Sequence, residues 1–406
     1  MPALRLTVVT EGAVDGLPGL TDWARGFEAR DPGYQPSAED TALQLYSSGT
    51  TGLPKGVELT HCNFDAAFSN EVPRAIGYGG APDVMLNALP TFHIAGIGIG
   101  LMTYIWGGTS VLFPDFNPPQ VLEAFGQHRI THSFLVPAMI QFLVQTPSAS
   151  QHDFSMLRSI SYGASPISDR VLVEVLHTFR CDFVQVYGLT ETTGAITALP
   201  AEDHDPDGPR AHLLRSAGKA IGGVEVRIAD PATGAAVPDG QVGEIWIRSR
   251  QNMKGYWRNP TATADLFVDR QPDGLGWFRS GDAGYLRDGY LFLHDRIKDM
   301  IISGGENIYP AEVENVLMEH PAIADGAVIG VPDEQWGEAV KACVVLKLGA
   351  QASAAELIAF MRERIAHYKC PKSVDLVDTI PRNPSGKVLK RILREPYWKG
   401  QERRVH

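Results

Sequence analysis

The spacing of apolar positions divides the chain into stretches of different period. Residues 1–40 hold one short strand-like run, then a loop rich in Gly, Pro and Asp. From about 41 to 200, apolar runs at 41–46, 84–89, 133–136 and 183–186 predict strands, while 119–128 and 169–178 carry helical spacing. This alternation predicts parallel sheet covered by helices on both faces. From Gly222 the period shortens to two. Residues 224–228 and 243–247 alternate, turn signals sit at Pro231, Gly234 and Pro238-Asp239-Gly240, and 285–294 reads as a hairpin turned at Arg287-Asp288-Gly289. Beyond Arg296 a small α+β pattern follows, with helices at 310–319 and 354–365, strands at 327–329 and 342–347, and a basic tail. The fold class is α/β: a large domain of helix-covered, mainly parallel sheets with a small β subdomain about 216–296, then a small α+β C-terminal domain.

One segment tests this picture. Residues 94–113 carry no charge over 20 positions, long enough for a membrane span. Gly107-Gly108 splits the run, and its glycines dilute its hydrophobicity, so a buried helix followed by a strand is expected and no transmembrane segment. The Gly96-x-Gly98-x-Gly100 spacing lacks the preceding strand that a dinucleotide fold requires. Residues 201–215 are polar and rich in proline, and a solvated loop is expected there in preference to a metal site.

With 406 residues the chain has room for two or three domains at ~100 to 200 residues each. A net charge of −11 gives no general attraction to nucleic acid or anionic membrane, so any site for an anion has to gather its cations locally. Cys62, Cys181, Cys343 and Cys370 lie far apart and form no Cys-x-x-Cys pair, which suits a reduced, cytoplasmic protein. The first residues lack the basic and apolar regions of a signal peptide.

The stretch with the strongest chemical character is Ser47-Ser48-Gly49-Thr50-Thr51-Gly52-Leu53-Pro54-Lys55-Gly56. Glycines that turn tightly, hydroxyl donors and one lysine make a wrapper for polyphosphate, expected here at a strand-to-helix junction with Thr60 capping a helix from His61. It is not a Walker A loop, because Lys55 is preceded by Pro54 and followed by Gly56. Four further strings follow in order: Tyr187-Gly188-Leu189-Thr190-Glu191 after the 183–186 strand, Ser280-Gly281-Asp282, Asp295-Arg296-Ile297-Lys298-Asp299 leading to Gly304-Gly305-Glu306-Asn307, and Pro384-Ser385-Gly386-Lys387. Ahead of them, Gly163-Ala164-Ser165-Pro166 has no glycine at 167, which excludes a nucleophile elbow centred on Ser165.

Together these motifs resemble the signature series of the adenylate-forming superfamily, in its acyl-CoA synthetase branch, and they span residues 41–391. The resemblance implies ATP and CoA as co-substrates, Mg²⁺ as cofactor and a carboxylic acid substrate. It implies that Ser47 to Gly52 and Lys55 bind the phosphates, and that Gly163, Ala164, Ser165, Tyr187 and Gly188 line the adenine side. By the same resemblance Thr190 touches the α-phosphate, Glu191 holds the metal, Asp282 takes the ribose hydroxyls and Arg296 contacts ribose or phosphate. Lys387 is the implied adenylation lysine, and Lys298 the hinge between a large domain at 1–296 and a mobile C-terminal domain at 297–406. Gly304, Gly305, Glu306 and Trp336 would line the CoA path. His93 would gate the acyl pocket, paired with Glu306. The stretch Pro90-Thr91-Phe92-His93-Ile94-Ala95-Gly96 lacks the aspartate of amino-acid-activating relatives, which points to a fatty or aryl acid.

Such chemistry brings two anions together, and like charges at ~4 Å repel by about 4 kcal/mol at an effective dielectric near ~20, so a placed ammonium and a divalent cation are required. One departure stands out: family members carry well over a hundred residues before the phosphate loop, whereas 46 precede Ser47 here. The resemblance then implies a large domain without its first part, with apolar sheet faces covered by a second copy in a homodimer. It leaves two alternatives, a catalytically inactive nucleotide- or acyl-binding remnant and an adenylating enzyme with another acceptor.

Overall fold

The computed structural model describes residues 6–12, 14–47, 54–69, 71–164, 167, 169–382 and 387–399. The chain divides into two compact units, Met1–Asp40 and Thr41–His406. In the first, the expected strand is only an isolated bridge between Val9 and Gly19, and the regular element is a short helix, Leu20–Ala24. Among the described residues of this unit there is no second strand to build a ladder with.

In the second unit a seven-stranded sheet runs in the order Thr109–Leu112, Val84–Asn87, His132–Leu135, Ser159–Gly163, Asp182–Leu189, Gly194–Leu199, Lys219–Ala220. The first five strands are parallel and the last two antiparallel. One face is covered by helices Pro118–Gln127, Pro137–Gln145 and Asp169–Phe179, which pack Leu122, Phe125, Ile140 and Phe179 against Leu135, Ile160 and Phe183. On the other face, Phe64, Phe68, Ile99 and Met102 from helices His61–Phe68 and Ile94–Ile105 meet Phe134, Val184 and Val186. Strands buried on both faces need not be wholly apolar. His132 is buried at the start of its strand because its ring bonds Thr131 Oγ1 (2.9 Å) and Gly77 O (3.0 Å). The uncharged run 94–113 resolves into a helix ending at Ile105 and a strand from Thr109, and among the described residues no helix is long and apolar enough to cross a membrane.

Two expectations are corrected here. Thr41–Ser47 and Lys55–Thr60 pair antiparallel, with Gly255–Tyr256 as a third strand, so the Ser/Thr/Gly stretch joins two strands of a hairpin and the helix begins only after the second. The hydroxyl-rich loop hides the second strand, because Lys55-Gly56-Val57-Glu58 alternates too briefly to stand out. Residues 201–215 are also no solvated loop. They form short 3₁₀ turns that bury Asp203, His204, Leu213 and Leu214, with Tyr162 and His204 hydrogen bonded at 3.0 Å and Asp203 bridged by Arg210 and the Tyr290 hydroxyl. Burial is possible because each polar group has a partner.

A five-stranded antiparallel sheet follows, built from Val224–Ala229, Gly243–Ser249, Phe267–Val268, Trp277–Arg287 and Tyr290–Arg296. Its last hairpin turns at Asp288 and Gly289, both at positive φ (53° and 78°), as a two-residue turn between twisted strands requires. The final sheet contains Ile301–Ser303, Glu306–Ile308, Ile323–Asp333, Gly337–Leu346 and Ser373–Leu376. Along Ile323–Asp333, Val328 faces helices Pro310–Met318 and Ala354–Arg362, while Ala327, Ile329 and Val331 face Ile380, Val388 and Leu393 near the carboxyl end.

The hairpin and the second sheet are tied together at Thr60 and Asn63. Their side chains cap each other's backbone N–H (3.2 and 2.8 Å), and Asn63 Nδ2 also donates to the carbonyls of Arg250 and Asn252 (2.7 and 2.9 Å). Asn63→Ala, which orphans three backbone groups, two of them buried, is expected to cost about 3 kcal/mol, against about 1 for the cap alone in Thr60→Ala. Urea unfolding followed by circular dichroism checks the order, and equal losses would contradict it.

Candidate active site

The strands Ser159–Gly163 and Asp182–Leu189 end at the edge where the sheet changes from parallel to antiparallel pairing, the place where open α/β sheets bind ligands. Gly163 closes the first strand, and Ala164 follows in the left-handed region at φ 69°. On the second, a side chain at Gly188 would collide with the Gly194 carbonyl, so glycine alone fits. Thr190 and Glu191 stand on a 3₁₀ turn, Thr190–Thr192, which is held by Leu189 N–H to Thr192 Oγ1 (2.9 Å) and by Thr192 Oγ1 to Gly194 O (2.8 Å).

Glu191 reaches the hairpin. Its Oε1 accepts bonds from Ser47 Oγ (3.2 Å) and Tyr256 OH (3.0 Å), and Lys55 Nζ lies 4.9 Å from the centre of the Tyr256 ring. Ser47 and Lys55 are register partners, so both ends of the hydroxyl-rich loop stand beside this carboxylate. Ser48, Gly49, Thr50, Thr51, Gly52 and Ser165 lie outside the described residues.

A second group adjoins the first. Asp282 is buried and faces Arg296 across the hairpin. Arg296 Nε lies 2.8 Å from Asp282 Oδ1, and Tyr187 OH donates to Oδ2 at 2.7 Å. Burial and then Asp282 push the Tyr187 phenol up, and Asp282 and Glu191 hold the guanidinium of Arg296 charged against its burial. Each carboxylate oxygen has two lone pairs, so Asp282 retains acceptor capacity beyond these two bonds.

Lys298 and Lys387 enter the same field. Desolvation and then Arg296 press the Lys387 ammonium down to about 8, with Asp282 and Asp299 opposing and Lys298 reinforcing. Lys298 is lowered by desolvation too, and Asp299 opposes this. By accessible surface both side chains are exposed, although their surroundings are dense enough to penalise the charge. Their solvent-facing parts screen the effect.

The remaining candidates stand elsewhere. Gly304 and Gly305 turn a tight hairpin at positive φ (62° and 87°). Gly304 N–H donates to Trp336 O at 2.8 Å, and a Cβ on Gly304 would lie 2.6 Å from the indole. Trp336 is 42% exposed, with Lys372 Nζ 5.7 Å from its ring, and Glu306 is exposed beside the turn. His93 begins the helix Ile94–Ile105, and its Nε2 is buried with no hydrogen-bond partner among the described residues. No hydrogen bond or ion pair between His93 and Glu306 is found among the described residues. The two residues come from separate sheets and helices, and nothing in their local sequence fixed the distance between them.

Motif reading gave no role to several members of the cluster. Tyr256 bonds Glu191, Lys390 pairs with Asp295 (2.9 Å) and Glu314 (3.1 Å), and Arg394 pairs with Asp299 (2.7 Å). Part of the basic tail is thus a short docked helix, Lys390–Arg394. The four-residue spacing shared by Lys390 and Arg394 and by Asp295 and Asp299 was the available signal.

A family model described as AMP-binding enzyme matches residues 4–257, and one described as AMP-binding enzyme C-terminal domain matches 312–387. The chain belongs to the AMP-binding enzyme family. Within it the chain falls in the acyl-CoA synthetase branch of the adenylate-forming superfamily, a branch of ATP-dependent, AMP-forming acid–thiol ligases. A fatty acid–[acyl-carrier-protein] ligase, ScoC of Streptomyces coeruleorubidus, is 40% identical over 95% of this chain and 73% of its own length. A feruloyl-CoA synthase of Amycolatopsis sp is 41% identical over 90% and 72%. Among solved structures, ATP-bound MatB from Rhodopseudomonas palustris superposes with a TM-score of 0.84 at 34% identity, covering 94% of this chain and 73% of that one.

In this AMP-binding enzyme, Asp282→Ala removes the acceptor shared by Tyr187 and Arg296 and leaves a largely buried guanidinium without its nearest counter-charge. The expected loss is about 3 kcal/mol of stability, read as a lower thermal midpoint, with Asp282→Asn losing less because it still accepts from Tyr187. Unchanged midpoints in both variants would contradict the arrangement.

Proposed function

We propose that the protein is a fatty acid–CoA ligase: the acid's carboxylate attacks the α-phosphorus of ATP, pyrophosphate leaves, and CoA thiolate then attacks the acyl-AMP carbonyl and expels AMP. The observation that carries this reading is the charged group in which Arg296 pairs with Asp282 and Arg394 with Asp299, whose field acts on Lys298 and Lys387. A cation delivered from near the carboxyl end to that group is what the approach of two anions needs. In this reading Lys387 bridges the acyl carboxylate and the α-phosphate, Thr190 touches that phosphate, and Ser47 to Gly52 with Lys55 wrap the outer ones. Tyr187 and Gly188, with Gly163, Ala164 and Ser165, hold the adenosine, and Asp282 and Arg296 fix the ribose.

Both hydroxyl donors to Glu191 fall on Oε1, and no described residue donates to Oε2. Among the described residues no group of three or more acidic, His or Cys ligands is present, so a cation here would take one carboxylate and complete its shell with phosphate and water, a donor set that suits Mg²⁺. Bound there, Mg²⁺ would neutralise phosphate charge.

For thioester formation Lys387 has to withdraw. We assign the pivot to Lys298, with residues 1–296 as the stationary domain and 297–406 as the turning one, which brings Gly304, Gly305, Glu306 and Trp336 to the pantetheine path. His93, with its unpartnered Nε2, serves as the gate of the acyl pocket. The free thiols of Cys62, Cys181, Cys343 and Cys370 fit a reducing cytoplasm. A carrier-protein thiol in place of CoA is the second reading, favoured by the 40% identity to a ligase named for that acceptor.

ATP–pyrophosphate exchange with a panel of carboxylic acids, followed by thioester detection with CoA and with holo-carrier protein, tests both readings. Exchange with fatty acids and product on CoA is expected. ATP binding without exchange for any acid would sink the ligase reading, and product on carrier protein alone would select the second. Lys387→Ala is expected to slow exchange roughly 100-fold.

The depressed Lys387 pKa gives a pH signature. The ammonium is the working form and is lost as pH rises through about 8, so kcat/KM for exchange should fall on the alkaline side of about 8. A flat profile from pH 7 to ~10 would remove Lys387 from this role. Lys298→Pro should spare exchange and thioester formation unequally, and equal loss of both would contradict a pivot there.

A further inference from the structure

We infer that Lys390 and Asp295 are positioning residues: their ion pair is a latch across the pivot that holds Lys387 beside Asp282 and Arg296. The inference rests on the functional reading above, in which the chain beyond Lys298 turns as one piece.

The latch is defined by which contacts cross the pivot. Asp295 lies before Lys298 and Lys390 far after it, and their charged atoms are 2.9 Å apart. Two further ion pairs, Lys390 with Glu314 at 3.1 Å and Arg394 with Asp299 at 2.7 Å, lie within the turning piece. Glu314 Oε1 also accepts the backbone N–H of Val328 at 2.8 Å, which fixes it to the strand Ile323–Asp333. A rotation about Lys298 therefore carries Lys390, Glu314 and Val328 together and leaves Asp295 behind.

The pair is also built to open. Lys390 and Asp295 side chains are 10% and 12% exposed, so a lone charge at either place would be costly. Each has a second partner, however. Lys390 keeps Glu314, and Asp295 Oδ1 accepts the Arg296 N–H at 2.7 Å. Opening thus exchanges one of two contacts at each end and strands neither charge. Lys390 is three residues from Lys387 and begins the helix Lys390–Arg394, so fixing its ammonium fixes where Lys387 can reach.

Asp295→Asn weakens the latch with little change of volume and leaves Lys390–Glu314 in place. In the full-length protein, amide hydrogen exchange is expected to quicken about tenfold at 297–300 and 390–394 but not in the parallel sheet. Exchange of pyrophosphate should slow about tenfold, while thioester formation from supplied acyl-adenylate stays within about twofold. Lys390→Arg, which keeps the charge, should behave as wild type in both assays. Unchanged amide exchange at the pivot, or an increase spread over the whole chain, would overturn the latch. So would an unaltered ratio of the two half-reactions. If the wild type performs neither half-reaction, the ligase reading fails by itself, and the amide-exchange comparison still decides for or against the latch.

Discussion

The Asp282–Arg296 ion pair is the contact on which the cluster's geometry depends. It closes a hairpin of the antiparallel sheet, and Tyr187 brings the edge of the parallel sheet to the same carboxylate. Glu191 contributes to the field on Arg296, and Arg296 to that on Lys387. Separate sheets are therefore coupled through two residues. Partly buried charges in such numbers are tolerable only because opposite signs are interleaved.

That interleaving also reconciles the chain's net charge with its chemistry. A protein at −11 has no overall pull on anions, yet Arg296, Lys298 and Lys387 sit together. The acids among them, Asp282, Asp299 and Glu191, keep Arg296 charged and only partly relieve the two lysines. Lys387 is left as a cation that a negative ligand would stabilise, because Asp282 and Asp299 offset its desolvation only in part.

Much of the fold was readable because strands and helices here follow their periods. The helix Ile94–Ile105 and strand Thr109–Leu112 fell on either side of Gly107-Gly108, and Asp288-Gly289 marked the hairpin. Reading failed where satisfaction of polar groups replaced hydrophobicity. Asp203 and His204 looked like loop residues and are buried, because Arg210, Tyr290 and Tyr162 reach them. The strand beginning at Lys55 was lost behind its hydroxyl-rich loop for a similar reason: its pairing is set by the partner strand Thr41–Ser47.

By itself the sequence determined the order of the motifs, the family they resemble and the residue types at the candidate site: glycine at 188, carboxylates at 191 and 282 and lysine at 387. Only the tertiary structure decided which of them meet. It put Glu191 between Ser47 and Tyr256, joined Tyr187 to Asp282, and paired the helix Lys390–Arg394 with Asp295 and Asp299. The reason is physical: an ion pair depends on a separation of a few ångströms, and separations between residues far apart in the chain are fixed by how sheets and helices pack.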